Sequence, residues 1–111
     1  MNQIAMSPAA AALLRALIAR SGAPRNRILL TEVKSIDWQS LTFTGERHQL
    51  RLRIPGPDSK AIVERICVGL EDAEFSIPGV IVADIAPLGE PQSALDGSAS
   101  LEIEALTVSE D

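Results

Sequence analysis

Leu50-Arg51-Leu52-Arg53-Ile54 and Leu101-Glu102-Ile103-Glu104-Ala105 are two stretches in which apolar and charged residues alternate. Because side chains on a strand point alternately to opposite faces, each stretch places its apolar residues on one face and its charges on the other. The charges are basic in the first stretch and acidic in the second, and opposite charges across neighbouring strands are favourable. We therefore predict that the two stretches are adjacent central strands, with Arg51 and Arg53 facing Glu102 and Glu104.

Two helices are predicted, one before and one after the strands of residues 28–54 in the chain. Ser7 followed by Pro8 is a typical helix start, because serine caps free amides and proline suits the first turn, so a helix is expected over residues 7–21. Gly22 and Pro24 end it. A second helix is expected over residues 59–72, after the Pro55-Gly56-Pro57 break, with one apolar face for a core.

The strand boundaries between residues 28 and 54 are open to more than one interpretation. β-formers with a period of two dominate this region, and we expect strands near 28–36, 39–44 and 47–54, the first two separate, continuous or bulged. A turn over residues 44–47 contains Gly45, which a hairpin loop favours, whereas the break over residues 37–40 lacks a glycine.

The second half of the chain predicts another pair of strands. An apolar run predicts a strand over residues 80–86, and the last strand covers residues 99–108. Between them, residues 87–98 are rich in Gly and Pro and predict a long mobile loop. Residues 109–111 are expected to be a solvated tail. With 111 residues, the chain is expected to form one domain.

The order of these elements, helix, hairpin, helix, hairpin, indicates an α+β two-layer sandwich. We expect a mostly antiparallel sheet of four to five strands with both helices on one face, as in a ferredoxin-like sheet whose first strand has moved to the end of the chain. That order requires the last strand to lie antiparallel beside the strand before the second helix. The opposite charges of the two quoted stretches support the same pairing independently.

Composition narrows the class of protein. The formal net charge of −5 opposes non-specific binding to phosphates or anionic lipid, and the 3% aromatic content implies an aliphatic core. A single cysteine, Cys67, precludes an internal disulfide and suits a reducing compartment. No uncharged run is long enough for a membrane span, so we expect a soluble cytoplasmic protein.

One cluster could serve single-stranded RNA. Basic residues among aromatic residues on an open sheet can hold phosphates and stack bases. The structural interpretation is favoured, because the net charge is negative and because Arg51 has an acidic partner across the sheet. The candidate binding residues are Trp38, Phe43, Arg47 and His48.

No catalytic residue, metal site or cofactor is predicted. His48 is the only group whose ordinary pKa lies near neutrality, but it lacks a partner in the sequence, and a local or solvent-facing role at a hairpin mouth is expected. Cys67 lies on the apolar side of a helix and is expected to behave as a small hydrophobe. The acidic cluster at residues 71–74 has no calcium-loop spacing and is expected to be a solvated helix end.

These observations favour a non-catalytic domain that acts by binding another protein or by self-association. An edge strand over residues 28–36 or 80–86 offers free backbone groups for strand addition, and Val80, Val82 and Asp84 mark the better candidate, which would form a homodimer. The alternative is a small-molecule-binding or enzymatic domain with a site where the 44–48 hairpin meets the 87–98 loop. Single-stranded RNA binding is the third hypothesis.

Overall fold

The computed structural model describes residues 5–109, which form two helices and a five-stranded antiparallel sheet. The predicted α+β class, with both helices on one side of an antiparallel sheet, is confirmed. The likeness to a permuted ferredoxin-like sheet remains a prediction. Of the expected tail, Ser109 ends the last strand, and residues 110 and 111 lie outside the described residues. The elements are α1 Pro8–Ser21, β1 Leu29–Gln39, β2 Thr44–Ile54, α2 Ser59–Cys67, β3 Val80–Pro87, β4 Gln92–Ser93 and β5 Ala99–Ser109.

The strands lie in the order β1-β2-β5-β3, and the short β4 pairs with β5. The two stretches that alternate Arg and Glu are therefore the central strands β2 and β5, as predicted. Arg51 lies opposite Glu102. The prediction that both arginines face the two glutamates holds only for Arg51, because in this antiparallel register Glu104 lies opposite Gln49. Arg53 lies opposite Ser100 and forms an ion pair with Asp96 at 2.8 Å.

The region between residues 28 and 54 contains two strands rather than three. The chain reverses over residues 40–43, where the Ser40 amide donates to the Phe43 carbonyl at 2.9 Å. The predicted turn at residues 44–47 is wrong, since Gly45 lies inside β2, opposite Val108. A Cβ atom at Gly45 would lie 1.9 Å from the Thr107 carbonyl oxygen. Glycine is needed here for the close approach of two strands and not for a turn.

The helices cover one face of the sheet, which we call the inner face. Ser7 caps α1 by accepting a hydrogen bond from the Ala10 amide at 3.1 Å, and Gly22 ends α1 with a φ of 69°. α2 ends at Cys67, earlier than predicted, and a 3-10 turn follows over Leu70–Asp72. The core between the layers is aliphatic, as expected, and its fully buried large members are Leu13, Leu17, Leu50, Leu52, Ile54, Ile62, Ile66, Leu70, Leu101 and Ile103.

Two arginines join the C-terminal ends of the helices. The Arg20 side chain of α1 donates to the Ile66 carbonyl at 2.9 Å and also to the Val68 carbonyl. The Arg65 Nε of α2 donates to the Ser21 carbonyl at 2.5 Å. Helix ends leave carbonyls without intrahelical donors, and here each helix supplies a donor for the other. Within residues 5–109, no helix is both long and apolar enough to cross a membrane.

Candidate functional site

The sheet face that the helices leave uncovered, here called the open face, has two unlike ends. The end nearer the 88–98 loop is charged. Arg51 donates from Nη2 to Glu102 Oε1 at 2.7 Å, and Glu32 approaches the same guanidinium at 3.9 Å. The hydrogen bond and the charge of Glu102, with a smaller contribution from Glu32, raise the pKa of Arg51. We define the charged end by its outward side chains Glu32, Lys34, Gln49, Arg51, Arg53, Glu102 and Glu104.

The other end of the open face, near the β1–β2 turn, is apolar. Its outward positions lie in two rows across the strands. Trp38, Gly45, Val108 and Ile81 are successive partners in the first row, and the second row is Ile36, Arg47, Leu106 and Asp84. Val108 is buried, but Ile36, Phe43 and Ile81 are 65%, 52% and 45% exposed. We define the apolar band as Ile36, Trp38, Phe43, Ile81, Leu106 and Val108.

Behind the apolar band, the inner face is polar. Ser35, His48 and Thr107 lie on three adjacent strands and point to the side of the helices. Behind the charged end, by contrast, the inner face carries the buried Leu52 and Ile103. The two faces of the sheet therefore exchange character along the strands.

His48 is held between two hydroxyl groups. Its Nδ1 lies 2.7 Å from Ser35 Oγ and its Nε2 lies 2.8 Å from Thr107 Oγ1, and the side chain is 1% exposed. Burial lowers the pKa of His48, although the charge of Glu46 opposes this effect. The imidazole is thus held neutral, with one ring nitrogen donating and the other accepting. The expectation of a His48 without a partner, bonded locally or facing solvent, is wrong.

This arrangement fits a structural tie better than a reaction centre. A hydroxyl bonded to a neutral imidazole can act as a nucleophile when a substrate can reach it. The cavity of about 70 Å³ at this place is lined by Arg47, Asp84 and Leu106 of the open face, on the other side of the sheet from the imidazole. A more open cavity of about 330 Å³ reaches Ser35, but its lining is Val33, Glu46 and residues 5–7, which include no cationic side chain for an oxyanion. The three side chains join β1, β2 and β5.

Three of the four predicted binding residues share the open face, and one does not. Trp38 and Arg47 point outward. Phe43 lies two residues before the outward position of Gly45 and so shares its side of the strand. His48, which follows Arg47, points inward and is buried. No ligand can contact His48 together with the other three on one surface.

The predicted interface edge does lie at a sheet edge. β3 is one outer strand and β1 is the other. Val80 and Val82 are half-buried, and Val82 packs against the core. Asp84 is exposed and lies opposite Leu106 on the open face, beyond a register shift at Ala83 that interrupts the edge.

The 44–48 segment and the 87–98 loop lie on opposite sides of β5. His48 is opposite Ala105 and Pro87 is opposite Ile103, two residues further along β5, whereas Gln92 is opposite Ser100. The loop also borders a cavity of about 420 Å³ beside Arg51 and Glu102. A single site at the junction of the two segments stays a prediction.

The remaining candidates carry little chemistry. Cys67 is half-buried, and burial raises the pKa of its thiol, with Arg20 opposing, so the thiol stays protonated and unreactive at neutral pH. Between residues 5 and 109, no group of three or more His, Cys, Asp or Glu side chains is placed to hold a metal ion.

Sequence reasoning missed the apolar band, although a signal was present. In β5 the apolar residues occupy positions 101, 103 and 105, and then positions 106 and 108. The alternation thus shifts by one residue after Ala105. Because no register shift interrupts the pairing of β2 with β5, the shift moves apolar side chains to the open face.

Neither a protein-family model, nor a curated protein, nor a solved structure matches this chain.

Proposed function

We propose that this chain is a non-catalytic protein-binding domain whose contact surface is the apolar band. One observation carries the proposal: apolar residues leave the inner face and occupy the open face at one end of the sheet, where the inner face becomes polar. Because the ladder between β2 and β5 is unbroken, it fixes the direction of each side chain, and no bulge returns these apolar residues to the inner face. Another molecule on the open face would complete the burial.

The exposed apolar surface of the band supports a role in binding another protein. Burial of apolar surface stabilises by about 25 cal/mol per Å², and monomeric proteins rarely leave a contiguous apolar patch uncovered unless it is functional. Ile36, at 65% exposure, lies one row from Trp38, and the aromatic Phe43 follows at the turn. Aromatic and branched aliphatic side chains grouped on one face are typical of an interface core. Arg47, between Ile36 and Leu106, adds a charge to the same surface.

The domain is proposed to act in the cytoplasm. Support comes from its single cysteine, which is free, because disulfides are rare where thiols stay reduced.

The proposal is tested by placing a charge in the apolar band. Tagged protein is incubated with extract of the source cell, and retained proteins, including untagged copies of the chain, are quantified by mass spectrometry. Ile36→Lys should lose at least about tenfold of the specifically retained protein, because a charge would be buried in the contact. Gln49→Lys adds the same charge to the charged end of the same face and should retain the bound proteins as the parent chain does. Equal retention by Ile36→Lys, or no retention by the parent chain, would contradict the proposal.

Single-stranded RNA binding is the second candidate. Trp38, Phe43 and Arg47 lie on one open sheet face, an arrangement that can stack bases and hold a phosphate. Asp84 and Glu104 lie close to Arg47 across the sheet and weaken its attraction for phosphate. Retention of the chain on oligouridylate at low salt, lost at higher salt and in Trp38→Ala, is the expected behaviour. Absence of retention at low salt would reject this candidate.

A further inference from the structure

We propose that the occupant of the apolar band is a second copy of this chain, packed face to face about a two-fold axis that runs roughly along β5. The proposal rests on the proposed function, since it names the partner of the same surface. It assigns the contact to the open face rather than to the free edge of β3.

The strand order makes β5 the natural place for the axis. On the open face, Leu106 and Val108 of β5 lie between β2 on one side and β3 on the other. A two-fold axis along β5 keeps each row at the same height and exchanges left for right. It therefore sets β2 of one copy over β3 of its partner. An axis inclined by about 15° gives the crossing angle of about 30° that aligned sheets adopt when they pack.

The row of Gly45 brings a side chain over bare backbone. Gly45 has no side chain, and the Thr107 carbonyl lies close to where its Cβ atom would be. In the same row, on the other side of Val108, Ile81 is 45% exposed. The two-fold axis places Ile81 of each copy over Gly45 of the other, where no side chain of β2 stands in its way.

Charge is complementary in the next row. Arg47 and Asp84 flank Leu106 on β2 and β3, and both are exposed. Among residues 5–109 neither side chain forms an ion pair. The same axis sets Arg47 of each copy over Asp84 of the other, so that each dimer gains two ion pairs. Opposite charges arranged in this way favour the self-contact and fix its register.

The interface is small. One row further on, β5 carries Glu104, and the axis would bring two copies of this carboxylate together, so the contact ends there. Three strands about 4.8 Å apart, β2, β5 and β3, and the rows up to Leu106 give an area of about 200 Å² per copy, and β1 lies beyond the partner's edge. A standard interface has about 800 Å² per partner, so the dimer is expected to be weak and to dissociate on dilution.

Two opposite charge reversals test this geometry. Arg47→Asp sets Asp against Asp84 of the partner, and Asp84→Arg sets Arg against Arg47, so each variant alone should dimerise at least about tenfold more weakly than the parent chain. An equimolar mixture should restore dimers of one copy each, because both contacts then join Asp to Arg. An ion pair within one chain cannot produce this rescue. Both variants keep a net negative charge, since one reversal changes the −5 of the chain by two units.

The measurement is sedimentation velocity over protein concentrations of about 1 µM to 1 mM, with native mass spectrometry to count the copies. Lys60→Asp and Glu64→Arg repeat the two charge changes on exposed positions of α2 and should leave the parent dimer unchanged. Three results would each overturn the proposal: a parent chain that stays monomeric at about 1 mM, charge reversals that do not change dimerisation, or no rescue in the mixture. The proposed function would still stand in each case if Ile36→Lys lost a foreign protein that the parent chain retains.

Discussion

The two ends of the open face differ in what the opposite side of the sheet carries. At the charged end, Arg51 and Glu102 face water while Leu52 and Ile103 are buried beneath the helices. At the end near the β1–β2 turn, Ile36 and Trp38 face outward while His48 lies inside between two hydroxyl groups. The first end is a complete two-layer domain. The second end has the apolar side of a sheet turned away from its own helices.

One continuous ladder carries two unlike surfaces. β2 and β5 pair without interruption from Gly45 to Ile54, so side-chain direction is continuous along them. The alternation of apolar and polar residues shifts by one position in the sequence, and no bulge between these two strands compensates for the shift. The helices therefore cover the apolar side of the sheet at one end and leave it uncovered at the other.

The largest effect should separate burial within the domain from burial by a partner. Ile103→Ala is expected to lower the free energy of unfolding by about 2–5 kcal/mol, because it leaves a cavity in the core. Leu106→Ala, three residues along the same strand but on the open face, should cost about 1 kcal/mol. Urea unfolding at high dilution, where the chain is monomeric, measures both. Equal losses would show that the apolar band belongs to the core of the single chain.

The next largest effect concerns the close approach of β2 and β5 at Gly45. Gly45→Ala is expected to lower the free energy of unfolding by about 1–3 kcal/mol, because a Cβ atom would lie 1.9 Å from the Thr107 carbonyl and push β2 from β5. Gln49→Ala, an exposed position on the same strand, should change the free energy of unfolding by no more than about 0.5 kcal/mol. Urea unfolding of both variants makes the comparison, and a Gly45→Ala variant as stable as Gln49→Ala would refute the close approach.

A pH dependence should mark the polar inner face behind the apolar band. Because burial lowers the pKa of His48 below its ordinary 6.5, the unfolded chain binds the proton first. The stability is fully present above pH 6.5 and is lost as the pH falls through the pKa of the folded state. The free energy of unfolding of the parent chain should decline as the pH falls below about 6.5, whereas His48→Gln, less stable overall, should show no such decline. Parallel pH profiles for the two chains would argue against the buried neutral imidazole.

The smallest effect belongs to the charged end. Glu102→Gln removes the exposed partner of Arg51 and should lower stability only slightly at low salt, with the difference vanishing near about 1 M NaCl. Glu104→Gln is the matched control on the same strand and face, because Glu104 lies opposite Gln49 and Ala86. If Glu102→Gln were as costly as Ile103→Ala, the charged end would stabilise the fold and not merely set register and solubility.

The local signals in the sequence were sufficient for most of the fold. Ser7 and Pro8 predicted the start of α1, and the alternation of Leu and Arg with Leu and Glu predicted the central strand pair. The helix start depends on neighbours in the chain, and the strand pair was predicted because each stretch alternates within itself and their charges are opposite. The turn was predicted wrongly at Gly45, because a glycine in the sequence is compatible both with a turn and with a close contact between strands.

The candidate site was predicted only in part. Trp38, Phe43 and Arg47 were selected and do share the open face, but His48 was grouped with them although it points inward. Ile36, Ile81 and Leu106 were not selected, because each is ordinary in its own strand. They form a surface only when four strands are set in register.

The sequence by itself determined the class of fold, the helix starts, the aliphatic core and the two central strands, because capping, alternation and opposite charges act locally or between matched neighbours. The tertiary structure alone decided which charges pair, which hydroxyl groups hold His48 and where apolar side chains leave the core. Those outcomes depend on the register between strands far apart in the chain, and a shift of one residue would reverse every side chain.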